Sequence, residues 1–298
     1  MVHSRRRMRM ARSLSHGGIR VIKLGLQSLS YRDAFIANEI DMFEFLQRCA
    51  DMRLDGVDLH YTHFESTEDN YLNEIRRFCL SHGLYLSYIG VSNDFGKIGG
   101  ELEKNKDMVK TWVDVAARMG VPMVRTFGAW IPEGEEVENV WERLIDAQKD
   151  VTAYARSKSV HIGLHNHNHG CVPATGEQTL RLLDAVDDEY YTHILDLGQY
   201  RGSPGASGAH GRPDPAYDFY GSIAASAPRA THIRAKIYRI ASGEEKWLDY
   251  DRIMPIVRDV GFNGWMSIVF EGQDEIDEST AVPMAVNYIR SMLTKYEL

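Results

Sequence analysis

Two adjoining stretches, DYDRIMPIVRDVG (249–261) and WMSIVFEG (265–272), decide how the chain is read. In the first, Ile253, Met254 and Val257 recur at helical spacing and Gly261 ends the pattern. The second is a β-branched and aromatic run that finishes in an acid, Glu271. A helix feeding a strand that ends in a carboxylate is one turn of an alternating α/β architecture.

Working outward, the same alternation fills the chain. Strands are expected at VIKLGLQ (21–27), GVDLHY (56–61), LYLSYIG (84–90), PMVRTFG (122–128), VHIGLHN (160–166), THILDLG (192–198), THIRAKIY (231–238) and WMSIVFEG (265–272). Helices are expected between them at 41–53, 70–83, 107–120, 137–159, 175–186, 214–226 and 249–261, and a last one at 281–296. Gly83 and Gly120 stand where helices commonly stop, Thr175 with Gln178 forms a capping signal, and Asp214-Pro215 offers a helix entry. Eight β-then-α units without a compositional break predict one (β/α)8 TIM barrel over 19–298. An open doubly wound sheet is the competitor, but no GxGxxG follows the first strand. The Gly-rich segments 96–100 and 202–212 read as lids or surface connections, and residues 1–18, with five arginines, as a disordered basic extension.

The 298 residues are 44% hydrophobic and 26% charged, enough for a large core. A net charge of -8 argues against nucleic acid and anionic membrane as partners, while leaving room for a local basic pocket. No apolar run is long enough to span a bilayer. Cys49, Cys79 and Cys171 match neither a disulfide framework nor a zinc ribbon, and a reducing cytoplasm is the expected location.

In a barrel the active face lies at the strand C-termini. Polar residues collect there: His60, Asn93, Asp94, Arg125, Trp130, His165, His167, Asp196, Gln199 and Glu271. His232, Arg234 and Lys236 alternate onto one face of strand 7. Core packing does not place such groups at one rim, because burying them is costly unless they pair or bind something. In GLHNHNHG (163–170), His165 and His167 share one side if the strand persists, whereas His169 and Cys171 read as loop residues without a role.

VHIGLHNHNHG (160–170), HILDLGQY (193–200), IRAKIY (233–238) and LDYDRIMPIVRDVGFNGWMSIVFEG (248–272) resemble the xylose-isomerase-like sugar isomerase/epimerase superfamily, which includes the endonuclease-IV-like enzymes. Members generally hold one divalent metal with Glu, Asp, His and Glu from strands 5 to 8. By motif position these are His165, Asp196, Arg234 and Glu271 here, and Gln199 stands where a substrate-binding His is common. Such a metal site sums to roughly -1, and Asp196, Glu271 and Arg234 reach that sum with no metal. Two alternatives follow. Either Arg234 replaces the cation, or Mn or Zn binds through His165, Asp196 and Glu271.

The resemblance implies a small-molecule carbohydrate partner, with a homo-oligomer left open. It implies an isomerase or epimerase acting on a sugar, keto-sugar or sugar phosphate by proton abstraction next to a carbonyl, through an enediolate. Glu271, His165 and His167 are the expected catalytic groups. His60, Arg125, Trp130, Gln199, Arg234 and Lys236 are the expected substrate contacts. A lyase or dehydratase using the same abstraction is the enzymatic alternative, and a non-catalytic sugar-binding barrel the other.

Overall fold

The computed structural model describes residues 21–168, 170–206, 209–272 and 276–298. The expected extension at 1–18 and His169 lie outside the described residues. Eight parallel strands close into a barrel: β1 Lys23–Gln27, β2 Gly56–His60, β3 Tyr85–Gly90, β4 Met123–Thr126, β5 His161–His165, β6 Tyr191–Asp196, β7 Ala230–Ile237 and β8 Trp265–Phe270. Closure is made by β1 on β8, in a register running from Lys23 opposite Trp265 to Leu26 opposite Ile268.

Each strand is followed by a covering helix: α1 Met42–Asp51, α2 Asp69–His82, α3 Gly99–Met119, α4 Val137–Ser157, α5 Gly176–Val186, α6 Phe219–Ser226, α7 Tyr250–Asp259 and α8 Glu278–Lys295. Their apolar stripes pack on the outward residues of the strands, which forms the main core between the two layers. Local chemistry fixes the ends. Gly83 and Gly120 adopt φ of 69° and 71°, the left-handed turn a C-terminal glycine supplies without strain. The Thr175 side chain accepts from the Gln178 backbone N–H, and the Gln178 side chain accepts from Ala174 rather than from Thr175.

Three sequence expectations are corrected. α3 begins at Gly99, so the glycines at 99 and 100 open a helix instead of forming a lid. α6 begins at Phe219, because the Asp218 side chain caps Gly221 and takes over the role expected of Asp214. Cys171 is buried in a two-stranded antiparallel sheet, Ala129–Trp130 against Cys171–Val172, that braces the loops after β4 and β5. All three cysteines are free and buried. Among the described residues no helix is long and apolar enough to cross a membrane.

Alternation along the strands turns every second residue into the barrel. Tyr88, Met123 and Ile194 form a small apolar cluster there, separate from the main core. One step further along β4 and β6 come Arg125 and Asp196, so the interior changes from apolar to charged toward the strand C-termini.

Candidate functional site

Asp196, the last residue of β6, is the hub. Its Oδ2 accepts from His165 Nε2 at 3.0 Å and Arg234 Nε at 2.9 Å, and lies 3.4 Å from Lys236 Nζ. Its Oδ1 accepts from the Gly198 N–H at 2.9 Å, and Asn166 clamps its backbone from both sides. Gly198 is needed for this turn, since a Cβ there would sit 2.7 Å from Lys236 Cγ. Burial raises the Asp196 carboxyl, but Lys236, His165 and Arg234 outweigh it and hold the group well below the usual carboxylate range.

Lys236 lies between the two acids. Its Nζ donates to Glu271 Oε1 at 2.6 Å, and Glu271 is the first residue after β8. Lys236 is buried, whereas the Glu271 side chain is 31% exposed. Burial pushes the Glu271 carboxyl up, and the charge and hydrogen bond of Lys236 pull it below its ordinary value. Arg234 Nη1 donates to the Tyr88 hydroxyl at 2.8 Å. The face of β7 expected from alternation is present, with His232 in the deepest position, bonded to Ser87 and Ser267 and 3.2 Å from Asp58.

His165 ends β5, so the strand does not persist to His167; the two rings stand 5.8 Å apart, with Phe127 beside both. Burial and the nearby Arg234 keep the His165 imidazole neutral. Since Nε2 faces a carboxylate, it carries the proton, which leaves Nδ1 as an acceptor. That Nδ1 is buried without a protein partner.

Arg125 on β4 is 1% exposed, and its Nε and Nη1 have no partner. Its guanidinium stacks 4.3 Å over Phe127 and crosses β3 at Gly90, where a Cβ would meet Nη2 at 2.8 Å. Gln199 is buried with Oε1 unpaired. His60 has both ring nitrogens engaged, by Thr62 at 2.7 Å and Ser92 at 3.3 Å, and burial with Arg125 pulls it down to about 2, so it is neutral. Trp130 packs on Phe127 and His167. Asn93 and Asp94 brace backbone at Phe127, Gly96 and Trp130. Two inward groups escaped the sequence reading: Tyr88, the partner of Arg234, and Gln27 at the end of β1, whose amide is buried with neither atom paired. Alternation from Leu26 was the available signal for Gln27.

The expected metal set does not fit. Among the described residues no three His, Cys, Asp or Glu side chains group as a metal would require. Asp196 Oδ2 is taken by the His165 and Arg234 donors, and the ammonium of Lys236, 3.4 Å from it, occupies the space between Asp196 and Glu271. A dication there would face two fixed positive charges.

Comparison with known proteins agrees with this architecture. The family model described as xylose isomerase-like TIM barrel matches residues 46–292, and the chain belongs to that family. Among solved structures, D-psicose 3-epimerase from Clostridium cellulolyticum H10 superposes with a TM-score of 0.70 at 14% identity, covering 92% of this chain and 98% of that one. The 3-keto-D-glucoside 4-epimerase from E. coli gives 0.69 at 13%, over 91% and 100%. A probable 3-DHS dehydratase from Bacillus anthracis gives 0.67 at 16%, over 90% and 99%. A search of curated proteins returned no match. At these identities the likeness carries the fold alone.

Proposed function

We propose that the chain is a sugar or keto-sugar isomerase or epimerase that abstracts a proton next to a carbonyl, with lysine and arginine doing the work of a cation. The observation that carries this reading is the 2.6 Å contact between Lys236 and Glu271. Glu271 is ionised and partly exposed, so it can act as the base. When it takes the proton it loses its charge, and Lys236 keeps only the longer 3.4 Å contact with Asp196. The oxyanion forming on the substrate carbonyl then takes up the place of the charge that Glu271 has given up. Lys236, with Arg234 behind it, therefore binds the transition state more strongly than the ground state. Asp196 fixes both cations and the His165 ring. His165 Nδ1 accepts a substrate hydroxyl, and Gln199, His60 and Trp130 line the mouth. Sugar epimerases among the structural relatives support the substrate class.

Elimination is the second reading. It is favoured by the asymmetry of the two groups, a carboxylate after β8 and an aspartate-oriented imidazole on β5, which suits a base and a separate hydroxyl-handling group better than a symmetric epimerase. Incubating the protein with a panel of ketoses in deuterated water tests both. Exchange beside the carbonyl is expected, with Glu271→Gln slowing it by about 10²–10⁴. Exchange accompanied by loss of water selects elimination, and absence of exchange across the panel contradicts both.

A further inference from the structure

The interior holds a second unspent feature, on the far side of the barrel from the proposed base. Strand order runs β1-β8-β7-β6-β5-β4-β3-β2 around the closed sheet, so β4, which carries Arg125, lies opposite β8, which leads into Glu271. Arg234 is paired with Asp196 and Lys236 with both acids, but Arg125 makes no ion pair among the described residues. Its Nε and Nη1 are buried and unpaired, one face of the guanidinium is covered by Phe127, and Gly90 gives it room to cross the neighbouring strand. A guanidinium carried into a protein interior at such cost requires an anion or a set of acceptors there. Among the described residues no acceptor reaches Nε or Nη1, although the Asp196 and Asp58 carboxylates act on the guanidinium from further off. His60 is neutral, and among the described residues the carboxylates in reach are engaged elsewhere: Asp196 by Arg234 and Lys236, Glu271 by Lys236, and Asp58 against His232.

We propose that the substrate spans the mouth with its carbonyl at Lys236 and Glu271 and an anionic group, a carboxylate or a phosphate, at Arg125. This rests on the proposed function for the carbonyl end only. The guanidinium is planar and fork-shaped, suited to oxyanions of either kind, and such an anion supplies the acceptors that Nε and Nη1 lack.

Thermal shift and calorimetric titration of wild type, Arg125→Met, Arg125→Lys and Glu271→Gln test it, with D-glucuronate, 2-keto-D-gluconate, glucose 6-phosphate and neutral D-fructose as probes. At least one anionic probe should bind wild type at least about tenfold more tightly than fructose. Arg125→Met should lose that preference, Arg125→Lys should keep part of it, and ligand-free Arg125→Met should melt no lower than wild type because an unpaired buried charge has been removed. Preference for the acids alone, or for the phosphate alone, identifies the anion. Equal binding of fructose and the anions, no binding of any anion up to about 10 mM, or a lower melting point for ligand-free Arg125→Met would overturn the assignment. Proton exchange by the wild type, measured beside binding, keeps the two readings apart. Anion binding without proton exchange in wild type sinks the proton-transfer reading and leaves Arg125 its role, and exchange on neutral ketoses without anion preference does the reverse.

Discussion

At the scale of single residues, the buried histidines set how the protein responds to acid. Burial, with Arg125 beside it, pulls His60 down to about 2, and burial pulls His63 and His193 down to about 4. An unfolded histidine titrates near about 6.5. These bases are neutral in the fold, so unfolding takes up protons once the pH falls below that value. Their contribution is complete above about 6.5 and shrinks as pH drops, by about 1.4 kcal/mol per pH unit for each histidine between about 6 and 4. Urea midpoints measured across that range should fall steeply, and His193→Gln should remove about one proton from the slope. Lys236 gives the complementary functional prediction. Lys236→Met should slow solvent exchange by about 10²–10³ with little change in substrate affinity, read as a kcat loss. The residue types of the site were legible in the sequence, but their pairing was not. Lys236 and Glu271 are 35 positions apart, and only strand register brings Nζ to the carboxylate. Tyr88 was missed because the β2–β3 register shifts between Val57 and Asp58, which breaks the period-two count that sorts inward from outward residues.

At the scale of elements, a single buried acid holds the strap that follows β7. Glu245 Oε2 accepts from the backbone of Tyr238 and Arg239, and Oε1 from Trp247 and Leu248, at 2.7 to 3.1 Å. No periodicity announces such a brace. The same strap places Tyr238, whose hydroxyl donates to the Gly198 carbonyl in the turn beside Lys236. Glu245→Ala leaves four N–H groups without that carboxylate, and a loss of about 2–4 kcal/mol is expected from denaturant unfolding, with raised amide exchange in residues 238–248. Strands and helices were readable because hydrophobic period is a strong local signal. The sheet joining Ala129–Trp130 to Cys171–Val172 was not, since two-residue strands have no period and their pairing is long-range. α6 shows a different failure: two aspartates, Asp214 and Asp218, compete to cap, and the one nearer the apolar run prevails.

At the scale of the whole molecule, the barrel exists only when its ends meet. β1 pairs with β8 across more than two hundred positions, and Glu271 follows that last strand directly. Deleting residues 262–298 should abolish cooperative urea unfolding instead of leaving a smaller barrel, because the remaining sheet would have two open edges and an exposed interior. Eight alternating units made the closed fold legible, and the family resemblance pointed to Asp196 and Glu271 at the ends of the sixth and eighth strands. It left two alternatives, a bound metal or Arg234 in the cation's place, and the donors gathered around Asp196 favour the second. The central claim is that Lys236 and Arg234 stand in for that ion. It is tested most directly by measuring deuterium incorporation beside the substrate carbonyl, before and after chelation and with Mn or Zn added back. The expected result is exchange that persists through chelation, is unchanged by either metal and collapses in Lys236→Met. Exchange that disappears on chelation and returns with the metal would contradict it.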